Sequence, residues 1–291
     1  MRVFPGTSTE VVKAGLGWGE GPVAYAGGIV FSDIPNSVMY IWRDGEVSVF
    51  RRPSRETNGN AVDREGRLVS CEHQSRSVVR TDSDGTLKHL ATHWQGKRLN
   101  SPNEVVVARD GGIWFTDPPY MLLNGGAPLG YVQQIDFAGV YRVDPMGDRV
   151  ELMIDALDKP NGLAFSSDEL TLFVSDTGYS HRKGGNHHVF AFQMRDGRPR
   201  DLSVFAAISP GGCDGLRVDA AGFVWVTSGT GVQLLSSDGD VLDRIDLGEM
   251  GTNLCFLPGD RRGVFVTTPT RAIVVEIDAT GQPDGFLRAT R

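Results

Sequence analysis

Six times over, the chain follows one short plan: a polar residue opens a strand, a glycine-containing turn follows, and a second strand ends on a small polar or acidic group. The units open at EGPVAY (Glu20), NGNAVD (Asn58), NEVVVA (Asn103), NGLAFS (Asn161), DGLRVD (Asp214) and NLCFLP (Asn253). Their partner strands read GIVFSDI, RLVSCEH, GIWFTDP, TLFVSDT, FVWVTSG and GVFVTTP. The distance from opening residue to partner end barely varies, running from Glu20 to Asp33 in the first unit and from Asn161 to Asp176 in the fourth. Third and fourth strands follow, as in SVMYIWRDGEVSVF and GVQLLSSDGDVLDRIDL. A repeat of this size cannot bury its apolar faces alone and must stack on its copies. Six four-stranded antiparallel units arranged radially make an all-β, six-bladed β-propeller, which leaves only short, protected sheet edges. The N-terminal TEVVKAGL reads as a fourth strand leading straight into Glu20, so it is expected to complete the sixth blade and close the ring. No linker or shift of composition divides the chain, and residues 1–291 are expected to form a single domain.

Composition narrows the functional classes. The 37 glycines recur in turns such as RDGE, SDGT and SSDGD between runs of Val, Ile, Phe, Trp and Tyr, with no sustained helical period. A net charge of −7 disfavours nucleic acid as partner, because phosphate binding needs a basic face. The longest apolar runs are strand-sized, which excludes a membrane-spanning helix. The start, MRVFPGTSTEVVKAG, lacks the basic, apolar and small-residue succession of a secretory signal, so a cytoplasmic location is expected. Cys71, Cys213 and Cys255 are odd in number and far apart, and are read as free buried thiols. Trp42, Trp114 and Trp225 lie mid-strand and are read as core.

The irregular lengths place the chemistry. In a propeller blade the first strand lines the channel, so the residue opening each first strand comes to one mouth. The loop between second and third strands reaches the same mouth. The spacings between openings are 38, 45, 58, 53 and 39 residues, and the excess falls in two such loops, 118–138 and 178–188. Long loops gathered on one face of a rigid scaffold are where binding usually resides, and these two are expected to form a lid. Beneath them converge Glu20, Asn58, Asn103, Asn161, Asp214 and Asn253. Asn or Asp beside Gly has an ordinary explanation in turns. Two carboxylates facing each other across a channel, however, repel unless a cation or a proton lies between them. Carboxylate and amide oxygens without Cys or His suit a hard cation, Ca²⁺ best, with Mg²⁺ or Mn²⁺ as alternatives.

The EGP start, RLNSPNEVVV, GGIWFTDPPY, KPNGLAFS and GCDGLRVD, in that order and spanning nearly the whole chain, resemble the motifs of the gluconolactonase/regucalcin (senescence marker protein) family. The resemblance implies a six-bladed propeller that hydrolyses sugar lactones with one divalent metal: Ca²⁺, or else Mg²⁺, Mn²⁺ or Zn²⁺. It implies Glu20, Asn161 and Asp214 as metal ligands, and Asn103 as a contact to substrate or metal. Glu104 stands where the family usually has Asp, and Arg98 matches a substrate-binding Arg only loosely in spacing. Asp214 is the implied general base toward water, although a cation beside it would depress its pKa and weaken it in that role. Asn103 and Arg98 would orient the ring and its hydroxyls.

Other residues near the mouth carry two readings each. His73, in CEHQ, is a second candidate for base or substrate contact, against a strand-end His bonded to a neighbouring loop. Tyr120 and Trp94 could stack on a sugar face or pack in the core. Asp33, Glu72, Asp117 and Asp176 end the second strands and are expected to brace loops by accepting main-chain N–H bonds. His181, His187 and His188 are read as part of a solvated lid rather than a metal site. The rivals to a lactonase are a diisopropyl-fluorophosphatase-like phosphotriesterase with a similar calcium site, and a non-catalytic metal- or ligand-binding propeller.

Overall fold

The structure is a computed structural model that describes residues 7–123, 130–147, 149–259 and 261–277. Its strands form six four-stranded antiparallel sheets, each built from consecutive strands except the last. The first blade runs through Gly19–Tyr25, Gly28–Asp33, Val38–Arg43 and Glu46–Arg51, and the next four repeat that meander. In the sixth, Asn253–Phe256, Gly263–Thr267 and Arg271–Ile277 are joined by Thr7–Ala14, which pairs from Thr7↔Ile277 to Ala14↔Arg271. The ring is therefore closed by the N-terminal strand, as the sequence pattern requires. An additional two-strand hairpin, His93–Trp94 with Lys97–Arg98, precedes the third blade. Among the described residues no helix is long and apolar enough to cross a membrane.

The apolar core lies between blades. Each of the six buried clusters draws its members from two neighbouring blades: Val30, Met39 and Ile41 meet Leu68, for instance, and Trp114 and Ile154 meet Leu163 and Leu172. Every blade thus buries both sheet faces only because its neighbours are present, which makes ring closure and core formation one event. Trp42, Trp114 and Trp225 are buried in these interfaces, and all three cysteines are free and buried.

At the axis the first strands pack backbone against backbone. A Cβ on Gly59 would lie 2.5 Å from the Asn103 carbonyl oxygen, and one on Gly162 would lie 2.4 Å from that of Asp214. The Asn-Gly pairs, open to a turn explanation in the sequence, sit inside or beside first strands, where glycine admits the next blade. Hydroxyls on the second strands complete the stitching. Ser32 donates to the Asn58 carbonyl at 2.9 Å, Thr116 to that of Asn161 at 2.8 Å, and Ser175 to that of Asp214 at 2.6 Å. Three of the four strand-end acids brace loops through main-chain N–H groups, whereas Glu72 accepts from the side chains of Arg51 and Ser75. Asp33 accepts from the Gly17 and Trp18 N–H groups, Asp117 from Asn100, and Asp176 from Asp158, Lys159 and Gly178. Each brace fixes the segment entering a blade just ahead of the residue that opens it.

Candidate active site

The six opening residues are all buried at one end of the channel. Their positions follow from the pairing: Glu20 lies opposite Ser32 in the first blade, Asn253 opposite Thr267 in the sixth, and the bulges after Thr57 and Pro160 turn Asn58 and Asn161 out of the regular ladder. Asn161 stands beside the Asp214 carboxylate and works to lower its pKa. Its amide also lies 3.4 Å from both the Tyr120 hydroxyl and Thr177 Oγ1, and those two hydroxyls bond each other. Glu20 Oε2 accepts from the Gly21 N–H and from Asn253 Nδ2, each at 2.9 Å. Asn103 is held through its main chain, its carbonyl accepting from Gly59 N at 2.8 Å and its N–H donating to Thr116 O at 2.9 Å.

Charge dominates this end of the channel. Burial, reinforced by the neighbouring Glu104, pushes the Glu20 carboxyl up to about 7. Burial, then repulsion from Glu20 and Glu104, drives Asp214 well above the usual carboxylate range. Arg217 reaches Glu104 Oε2 at 3.4 Å and brings a positive charge to this cluster. A buried excess of carboxylate over guanidinium is unfavourable unless protons or a cation offset it. Among the described residues no group of three or more His, Cys, Asp or Glu side chains is placed to hold a metal, so a cation here would need amide oxygens as well. The residues present fit that demand: Glu20 and Asp214 supply charge, Asn103 and Asn161 supply neutral oxygens, and the set is the hard-donor kind that suits Ca²⁺.

The expected substrate contacts divide. Tyr120 is bonded into the site beside Asn161, with its ring 5.5 Å from that of His181. His73 is buried, with Nε2 at 3.3 Å from Asn58 Nδ2, and burial pushes its pKa down to about 4. It is therefore a neutral acceptor toward Asn58, its side chain bonded to a ring residue rather than to a neighbouring loop. Arg98 lies further out: its guanidinium donates to the Ser75 carbonyl at 2.5 Å and its N–H to Gln134 Oε1 at 2.6 Å. Trp94 packs against Phe137 and Tyr141, the core reading of the two.

Both long loops bear on the mouth. In 118–138, residues 124–129 lie outside the described residues. The following stretch is tied to the second blade by Tyr131, whose hydroxyl donates to the Gln74 carbonyl at 2.6 Å, and by Arg76, which donates to the Val132 carbonyl at 3.1 Å. In 178–188, Arg182 pairs with Asp158 at 2.7 Å, and the Tyr179 ring fills the space over Gly212 just ahead of Asp214. Tyr179, Thr177, Glu104 and Arg217 were not singled out by the sequence pattern as site residues. Only Glu104 gave a signal, as an unusual residue beside Asn103. Asn253 differs from expectation. Its Nδ2 donates to Glu20 and to Glu104, the latter at 2.6 Å, and its Oδ1 accepts from Leu254 N at 2.8 Å, so its amide is fully committed to bracing.

Comparison with known proteins agrees with this architecture. The sequence model of the family described as SMP-30/Gluconolactonase/LRE-like region matches residues 18–270. A gluconolactonase from Zymomonas mobilis is 31% identical over 277 residues, covering 86% of this chain and 76% of that protein. Among solved structures, a gluconolactonase from Xanthomonas campestris superposes with a TM-score of 0.86 at 39% identity, over 95% of this chain and 91% of the other. A regucalcin from Agrobacterium tumefaciens shares the fold, with a TM-score of 0.74 at 19% identity over 98% and 99% of the two chains.

Proposed function

The chain belongs to the SMP-30/gluconolactonase/LRE-like family, and from that premise we propose that it hydrolyses a sugar lactone with one divalent cation, Ca²⁺ by the chemistry of the donors, held by Glu20, Asn103, Asn161 and Asp214. The observation that carries this reading is the buried pair Glu20 and Asp214, whose pKa values are driven up by burial and then by repulsion from neighbouring carboxylates, Glu104 on Glu20 and both Glu20 and Glu104 on Asp214, while Arg217 is seated on Glu104. When bound, the cation supplies Lewis-acid polarisation of the lactone carbonyl and stabilisation of the charge that develops on its oxygen.

The chain's own residues do the rest. Asp214 takes a proton from the attacking water as its oxygen adds to the carbonyl carbon. When the ring C–O bond breaks, that proton returns to the departing alkoxide, so the product is the open hydroxy acid and Asp214 is regenerated. Asn161 stands beside Asp214 and favours its ionised form. Tyr120, held by Thr177, stands beside that amide to meet the sugar. Asn103 presents its amide to the sugar hydroxyls at the third blade, while His73 holds Asn58 and Arg98 holds the Ser75 carbonyl beside it.

The test is hydrolysis of a panel of aldonolactones by pH-stat, using chelator-stripped and Ca²⁺-replenished protein, in wild type and Asp214→Ala. Turnover by the replenished wild type, lost on stripping and in the variant, supports the proposal. Turnover that survives chelation removes the cation from the mechanism. Cleavage of a fluorophosphate but of no lactone assigns the site to the phosphotriesterase rival.

A further inference from the structure

At the mouth runs a buried series of contacts of which only Glu20 enters the reading above. Arg217 Nη1 lies 3.4 Å from Glu104 Oε2, the same oxygen accepts from Asn253 Nδ2 at 2.6 Å, and that nitrogen also donates to Glu20 Oε2 at 2.9 Å. These residues come from the fifth, third, sixth and first blades, so the series crosses the channel rather than following its wall. Glu20, Glu104 and Asn253 are each at most 3% exposed. The orientation of the Asn253 amide is fixed from behind, because its oxygen accepts the Leu254 N–H and only its nitrogen can face the two carboxylates. Asn253 and Gly21 both bond Oε2 of Glu20, which leaves Oε1 as the oxygen available to a cation.

The charges add a second element. Around a bound cation, which would hold Glu20 and Asp214 as carboxylates, Glu20, Glu104 and Asp214 set against one guanidinium, Arg217, would leave a net of two negative charges. Without Arg217 the same cluster would hold three, and without Glu104 it would hold one. We infer that Asn253 is the positioning residue of Glu20, and that the Glu104–Arg217 pair sets the charge of the mouth at two, so that it selects a divalent cation. The inference rests on the cation reading above and adds to it a determinant of valence that lies outside the ligand set. Attraction in a poorly screened interior depends steeply on net charge, so one buried unit is enough to shift preference between cations of like size. Ca²⁺ and Tb³⁺, both hard cations taking oxygen ligands, serve as that pair.

The experiment titrates CaCl₂ and TbCl₃ separately into the chelator-stripped full chain by calorimetry, with thermal melts in chelator as the check on folding. Arg217→Met should raise the Tb³⁺ over Ca²⁺ affinity ratio at least tenfold relative to wild type. Glu104→Gln should lower both affinities, Tb³⁺ the more, and so reduce the ratio. Combining the two restores two negative charges and should return the ratio to the wild-type value, a rescue that loss of structure would not produce. Asn253→Leu should lower both affinities about tenfold with the ratio unchanged. Should Arg217→Met fail to fold, Arg217→Gln removes the same charge, keeps a donor toward Glu104 and carries the same expectation. A ratio that stays constant across the charge variants, or fails to return in the double variant, overturns the inference while leaving the cation reading intact. A wild-type chain that binds neither ion overturns both.

Discussion

Acid should destabilise this propeller in part through His73, and replacing that histidine should remove its share of the effect. His73 Nε2 accepts from Asn58 Nδ2 at 3.3 Å in a buried place, and burial pushes its pKa down to about 4. The unfolded chain protonates the same imidazole near 6.5. Because the folded pKa is depressed, the unfolded state binds the extra proton between those values, and stability present above about pH 6.5 is lost as pH falls toward 4. At pH 5 the loss amounts to about 2 kcal/mol, approaching about 3 kcal/mol at the bottom of the window. Protonation also sets two donors, the imidazolium and the Asn58 amide, against each other. Gln at position 73 offers a neutral acceptor to Asn58 but has no proton to take up. Urea unfolding of chelated wild type and His73→Gln at pH 7.5 and pH 5 isolates the contribution, since every other titrating group is common to both. The variant should lose about 2 kcal/mol less than wild type between the two pH values. Equal losses would refute the reading of His73 as a buried neutral acceptor.

Three further outcomes follow from the same structure. Asp214→Asn should cut kcat on any lactone the wild type hydrolyses by about a thousandfold, general-base and cation-ligand roles being lost together, as steady-state kinetics would show. Tyr120→Phe removes one hydroxyl beside Asn161 and should raise KM about fivefold with little change in kcat, the net worth of a single hydrogen bond. Gly162→Ala forces a methyl group to within 2.4 Å of the Asp214 carbonyl oxygen and should cost about 3 kcal/mol in a denaturant melt, with activity falling because Asp214 is displaced.

The architecture was legible because its signal is periodic. Six polar openings, six partner strands and one stray fourth strand at the start are enough to define six blades and their closure, and the strand-end acids Asp33, Asp117 and Asp176 brace loops as their positions suggest. The mouth was legible for the residues that repeat. What crosses the channel was not, because a strand pattern places a residue within its own blade and says nothing of which blade it faces. Glu104 and Asn253 occupy neighbouring register positions in the third and sixth units, yet one amide hydrogen bond joins them across the axis. Arg217 looks like any charged residue in a short strand until the fold carries it to Glu104. Tyr179 escaped notice for a different reason: its loop is an insertion, and the fit of its ring over Gly212 depends on a path that no repeat encodes.

The central claim is a single divalent cation at the mouth formed by Glu20, Asn103, Asn161 and Asp214. Calorimetric titration of Ca²⁺ into the stripped chain tests it most directly, carried out on wild type, Glu20→Gln and Asp214→Asn. The account predicts one ion per chain in wild type and loss of that binding in both variants, with each variant still folded by circular dichroism. Retention of wild-type binding in either folded variant, or no binding to the wild type at all, would contradict it.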